Sequence, residues 1–199
     1  MFRILNWLFG QEQFTQRKVD IPDYQKISYA EKMKINNVIK ARALMAPIKV
    51  RHFGSQPPAP KSKVFELLCM GPDNYYFRGD PAPVVDGIFI FVILASDPGR
   101  ILCGVPQNDS MANEVNKLRF GIFGHASISL REDVLYAGEI LFDNGALCLW
   151  TNKSGHYLPM AQTRLVNLLP NVQRILLPDA FIDFRNPPDW FINALYGER

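Results

Sequence analysis

The run Gly87-Ile88-Phe89-Ile90-Phe91-Val92-Ile93-Leu94 constrains the fold more than any other part of the chain. It is β-branched, aromatic and aliphatic throughout, without the polar alternation of a half-wet strand, and it predicts a strand covered on both faces. Asp97-Pro98-Gly99 predicts a turn after it, and 101–105 a return strand. Farther along, Asp143-Asn144-Gly145 separates two apolar runs, 134–140 and 146–151. Asn-Gly at that place predicts a hairpin, because both residues accept positive φ. A compact, mainly antiparallel sheet flanked by helices follows, which is an α+β class.

The rest of the 199-residue chain punctuates this core. Ser28-Tyr29-Ala30-Glu31 has the form of a capping box and predicts a helix up to Pro47. Its apolar residues Ile35, Val38, Ile39 and Met45 fall close to one face, with Lys34, Lys40 and Arg42 on the others. Gln56-Pro57-Pro58-Ala59-Pro60 predicts an extended, exposed break. The 64–70 stretch fits a strand or a short helix, and 71–83, rich in Gly, Pro and Asp, predicts a loop carrying Tyr75, Tyr76 and Phe77. A polar, helix-compatible stretch spans 107–117. Helix is expected at 162–169, strand at 174–177, and a last helix opened by Pro188-Asp189. This divides the chain into a helical arm (1–55), a Pro/Gly-rich connection (56–86) and a strand-rich core with C-terminal helices (87–199).

With 48% hydrophobic residues the chain can bury a sizeable core, and its net charge of +3 is too small and too dispersed for a nucleic-acid binder. Cys69, Cys103 and Cys148 are far apart among apolar neighbours, a pattern of reduced, buried thiols rather than of a disulfide framework or zinc site. The N-terminal run around Trp7 and Phe9 is too short to span a membrane and is interrupted by Asn6. It fits a short docked helix or an interfacial membrane contact. A cytoplasmic location is expected, in the producing cell or in another after delivery.

Two histidines mark the candidate chemistry: His125 in Gly124-His125-Ala126-Ser127, and His156 in Ser154-Gly155-His156-Tyr157. Glu139 lies between them in Ala137-Gly138-Glu139. Small residues before each leave room for a ligand or another chain segment, and a carboxylate near a histidine sets its tautomer and raises its pKa. His125, Glu139, His156 and Tyr157 are therefore the candidate catalytic group, with Ser127, Ser154 and Gly155 as substrate contacts. The alternative for the Gly-His-Tyr segment is that His156 and Tyr157 cap backbone groups without catalysis. The spacing matches no helix-borne metal motif, and no residue pattern names a cofactor.

In order along the chain, Phe89-Ile90-Phe91-Val92, Gly104, Phe123-Gly124-His125-Ala126-Ser127, Ala137-Gly138-Glu139, Asn144-Gly145 and Ser154-Gly155-His156-Tyr157-Leu158-Pro159 form a recognisable series. Over 87–172 it resembles the conserved domain of the plant IQ-motif-containing calmodulin-binding proteins. It is similar also to domains that end some bacterial polymorphic toxins and secreted effectors. The first likeness implies calmodulin as a partner, although the 28–46 helix lacks an Ile-Gln start. The second implies an enzyme, a transferase or hydrolase acting on a host protein or nucleotide.

Overall fold

The computed structural model describes residues 45–51, 56–71 and 74–196. The capping box at Ser28, the basic helix it opens and the apolar N-terminus lie outside them. The described part is α+β: a mostly antiparallel eight-stranded sheet with five α-helices. The strands are β1 (Phe65–Cys69), β2 (Tyr75–Arg78), β3 (Gly87–Leu94), β4 (Leu102–Pro106), β5 (Gly121–Ile122), β6 (Val134–Asp143), β7 (Ala146–Thr151) and β8 (Phe181–Ile182). The helices are α1 (Glu114–Phe120), α2 (His125–Ser129), α3 (Arg164–Asn167), α4 (Pro170–Ile175) and α5 (Asp189–Tyr196). Across the sheet the order is β2-β1-β4-β3-β6-β7-β8, with the short β5 parallel to β4.

β3 sits at the centre, as its uninterrupted apolar run predicts. Alternate residues point to opposite faces of a strand. Phe89, Phe91 and Ile93 enter the larger hydrophobic cluster, while Ile90 and Val92 enter a smaller one. The larger cluster is strongly aromatic: Phe77 packs on Phe89 at 4.6 Å between ring centroids, and Tyr136 meets Trp150 edge-on at 5.9 Å. The smaller joins Ile90 and Val92 to Ile122, Ile128, Val134, Ala137 and Tyr157.

The hairpin of β6 and β7 turns on Asn144 at φ 49° and Gly145 at φ 87°, the pair of positive φ values that its sequence supplies. One register shift lies between Leu141 and Phe142, so that Ile140 opposes Trp150. Gly138 on β6 allows a close crossing, because a Cβ there would overlap the Thr151 carbonyl oxygen.

Two expectations are corrected. The 71–83 stretch is not all loop: Tyr75 and Phe77 turn inward with Tyr76 between them, and β2 pairs antiparallel with β1. Inward-facing aromatics outweigh the Gly- and Pro-rich composition around them. The 174–177 stretch is not a strand, since Pro170 at the first helical position starts α4, which runs to Ile175. The parallel strand comes later, at Phe181–Ile182 beside β7. Pro57 and Pro58 are exposed as expected, but their neighbours are tied to α2. Gln56 Oε1 accepts from the Ala126 amide at 3.1 Å and the Ala59 amide donates to Ser127 O at 2.9 Å.

Among the described residues no helix is long and apolar enough to cross a membrane. Cys69 and Cys103 are buried and Cys148 half-buried, and burial pushes the Cys103 thiol far up.

Candidate functional site

α2 lies over the face of the sheet that carries Ile90 and Val92, and it begins directly at His125. Gly124 precedes it because the Gln56 side chain occupies the space a Cβ would need. The room that the small residue leaves is thus taken by another segment of the chain. His125 is 6% exposed, and its Nε2 lies 2.8 Å from Gly138 O. A carbonyl only accepts, so Nε2 carries the proton and donates. Burial pulls the ring from the ordinary 6.5 to about 4; the Gly138 bond opposes this, while the nearby His156 and Lys153 charges add to it. His125 is therefore neutral at pH 7, a donor that fixes β6 against α2.

Tyr157 is fully buried. Its hydroxyl donates to Glu132 O at 2.8 Å and lies 2.6 Å from Ser129 Oγ. Since its one proton goes to the carbonyl, Ser129 is the donor of the second bond. Burial holds the phenol above its ordinary range, and the Ser129 bond partly offsets this. Ser154, also buried, accepts from the Tyr157 amide at its Oγ, and its carbonyl accepts from the Leu158 amide at 2.9 Å. Ser127 is 1% exposed, and its hydroxyl makes no hydrogen bond among the described residues. The Tyr157, Ser154 and Ser127 side chains are thus almost wholly covered by protein. Gly155 is exposed at the tip of the turn, with open space where a Cβ would stand.

Glu139 and His156 are placed differently. Glu139 is half-buried, and its Oε2 lies 3.0 Å from Lys153 Nζ. Burial raises its carboxyl pKa, Lys153 works against that rise by charge and hydrogen bond, and Asp109 adds to it. His156 is half-buried, with its carbonyl accepting from the Arg51 amide at 2.8 Å. The His156 and Lys153 charges act on His125, and the Lys153 and Asp109 charges on Glu139, with the Lys153–Glu139 pair in direct contact. Among the described residues no three His, Cys, Asp or Glu side chains are grouped to hold a metal ion.

Lys153 is the member of the candidate site that sequence reasoning missed. A lysine just past a strand reads as a solvated end. The register shift in the hairpin changes this, because with Ile140 opposite Trp150, Glu139 shares a face with Thr151 and Lys153. Beyond the pair lies a rim built by Asn152, which is 2% exposed. Its amide nitrogen donates to Pro159 O at 3.2 Å and Asp183 Oδ1 at 2.8 Å, and its Oδ1 accepts from the Phe184 amide at 2.7 Å. The loop after β7 and the loop after β8 are thereby joined, and Lys153 Nζ stands 5.3 Å from the Phe184 ring centroid.

With this geometry the chain was compared with known proteins, and no family model, curated protein or solved structure matches it.

Proposed function

We propose that this chain is a small effector- or toxin-like domain that carries out a group transfer or a hydrolysis on a host protein or nucleotide. Glu139 is its acid/base group. The observation that carries the reading is the Glu139–Lys153 pair, a carboxylate poised above its usual range by burial and held by a cation at 3.0 Å, yet not sealed from solvent. A proton-transfer group works best when its pKa lies near the operating pH. Lys153 orients the carboxylate, and His156 in the Gly-His-Tyr turn is the candidate second acid/base group. His125 is a positioning residue, acting through the Gly138 carbonyl next to Glu139. The ordered likeness of the Ser154–Pro159 turn to toxin-borne domains supports the same reading.

The test is growth arrest on expression in a host cytoplasm, with the melting temperature as control. Glu139→Gln is expected to lower activity by about 100-fold or more, the usual contribution of such a group, with the melting temperature nearly unchanged. A Glu139→Gln protein as toxic as the parent overturns the reading.

A second reading treats the domain as a non-enzymatic binding module that engages calmodulin or another acidic partner through the basic 28–46 stretch. What favours it is that His125, Ser154 and Tyr157 hold backbone groups, as scaffold residues do. Capture on immobilised calmodulin, with and without calcium, separates the two. Loss of capture when Lys34, Lys40 and Arg42 are reversed in charge supports the module.

A further inference from the structure

Phe184 is a large apolar side chain 42% open to solvent, in a segment anchored by one of the most buried polar groups of the protein. Exposed aromatic rings are ordinarily scattered and loosely held. This one is not. Its amide is bonded to Asn152 Oδ1, and the preceding Asp183 carboxylate accepts from Asn152 Nδ2 and from the Arg185 amide at 3.1 Å. Arg185 in turn donates from Nη2 to Leu158 O at 2.6 Å, a second strut between the two loops. The backbone that carries the ring is therefore held before any ligand arrives, which reduces the ordering cost of binding.

The charges around it are arranged in depth. Glu139 lies inward, its side chain 13% exposed, whereas Lys153 stands over it with its side chain 40% exposed. An ammonium has three N–H donors, and the Glu139 contact occupies one. Arg185 is exposed and keeps guanidinium donors beyond the one given to Leu158. Asp183 is half-buried, its Oδ1 already accepting two bonds. The outward-facing groups are thus the Phe184 ring with the Lys153 ammonium over it at 5.3 Å from the centroid, the exposed Arg185 next in sequence, and the Glu139 carboxylate below Lys153. A planar ring joined to an anion fits this arrangement, and a nucleoside phosphate has both.

We propose that the rim formed by Lys153, Phe184 and Arg185 binds a nucleoside phosphate, with the base stacked on Phe184 and the phosphate held by Lys153 and Arg185. This rests on the reading of Glu139 as the acid/base group and selects nucleotides over proteins as its substrate class. Stacking on an aromatic ring tolerates any base, so the rim reads ring and charge more than base identity.

The test is isothermal titration calorimetry of the full chain with AMP, adenosine and inorganic phosphate as separate probes. AMP is expected to bind with a Kd below about 1 mM, in the range of ordinary substrates, and more tightly than adenosine or phosphate alone. Phe184→Ala is expected to weaken AMP by about tenfold or more, and Lys153→Met to weaken AMP and phosphate but not adenosine. Phe184 is exposed, so its variant keeps the fold, and unchanged melting checks this. The proposal is overturned if AMP fails to bind at millimolar concentration, or if Phe184→Ala binds it as the parent does. Glu139→Gln separates the two ideas: AMP binding retained while toxicity is lost supports both, and toxicity lost with no AMP binding in the parent leaves the acid/base reading standing without this one.

Discussion

The two faces of β3 are held by different physics. On one, Phe89, Phe91 and Ile93 meet an aromatic layer in which Phe77, Phe142, Tyr136 and Trp150 pack at tilted and edge-on angles. Its strength comes from non-directional burial of apolar area and from ring contacts. On the other, Ile90 and Val92 share a thinner layer with α2 and the turn at 154–157, where His125, Ser129 and Tyr157 are buried with their polar atoms bonded. Directional bonds hold much of this side, although the Ser127 hydroxyl on α2 has no partner among the described residues, and an unpaired buried polar group costs about 1–3 kcal/mol. Away from these bonds Glu139 pairs with Lys153, their side chains 13% and 40% exposed. The contrast places most of the apolar stabilisation on one face, and the proposed chemistry would sit at the edge of the other.

Trp150→Ala tests that assignment most severely. The side chain is almost fully buried, packs on Phe91, Tyr136 and Phe181, and donates from its indole to Leu177 O at 2.8 Å. Its loss is expected to remove about 3–5 kcal/mol from the unfolding free energy measured in urea. A cost under about 1 kcal/mol would abolish the distinction between the faces.

The next largest effect belongs to the polar face and depends on pH. Because the folded His125 titrates near 4 rather than 6.5, the unfolded chain binds a proton that the folded one refuses between those values. Stability is therefore expected to fall as pH drops from about 6.5 to about 4, by up to about 3 kcal/mol from this group, and not to change on its account above 7. Glu139 titrates in the parent and the variant alike, so the difference between the parent and His125→Gln isolates the histidine. A parallel pair of stability-against-pH curves would show that His125 is not buried neutral.

Asn152→Ala breaks the join between the two loops and is expected to cost about 2 kcal/mol, with three hydrogen bonds lost and buried partners left open. It should also increase the mobility of Phe184, seen as narrowed ring resonances by NMR. Tyr157→Phe removes one hydroxyl, leaving Glu132 O without its donor and Ser129 Oγ without its acceptor. About 1–2 kcal/mol is expected in thermal unfolding, with growth arrest retained. Full loss of arrest at unchanged stability would move Tyr157 from scaffold to site. Gly155→Ala is expected to change stability by less than about 0.5 kcal/mol, because open space surrounds it.

The aromatic face was the more legible in the sequence. An unbroken apolar run can only be a buried element, and Asn144-Gly145 fixes a hairpin by backbone conformation alone. β2 was hidden by flanking Gly, Pro and Asp, and the apolar Ile175-Leu176-Leu177 resembled a strand although Pro170 had already begun a helix. At the site, residue types at small-residue positions pointed to His125, Glu139, His156 and Tyr157. Which of them open to solvent depends on tertiary contacts far away in sequence, such as Gln56 beside Gly124 and Arg51 on the His156 carbonyl. Lys153 depended on a one-residue bulge, and a bulge leaves no mark in composition.

The 45–51 segment looks peripheral, yet it bears on where the chain can be shortened. Ile48 exchanges two backbone hydrogen bonds with Val134, at 2.7 and 3.0 Å, and the Arg51 amide bonds the His156 carbonyl. The Ala46 amide donates to Asn167 Oδ1 and its carbonyl accepts from Asn167 Nδ2. A chain begun at Gln56, the natural place to cut by composition, would strip one edge of β6, release the His156 turn and leave a buried asparagine short of two partners. One begun at Met45 keeps all of these. Any comparison of partner binding between long and short forms should therefore cut before Met45, so that a lost interaction reports on the removed segment and not on a damaged sheet.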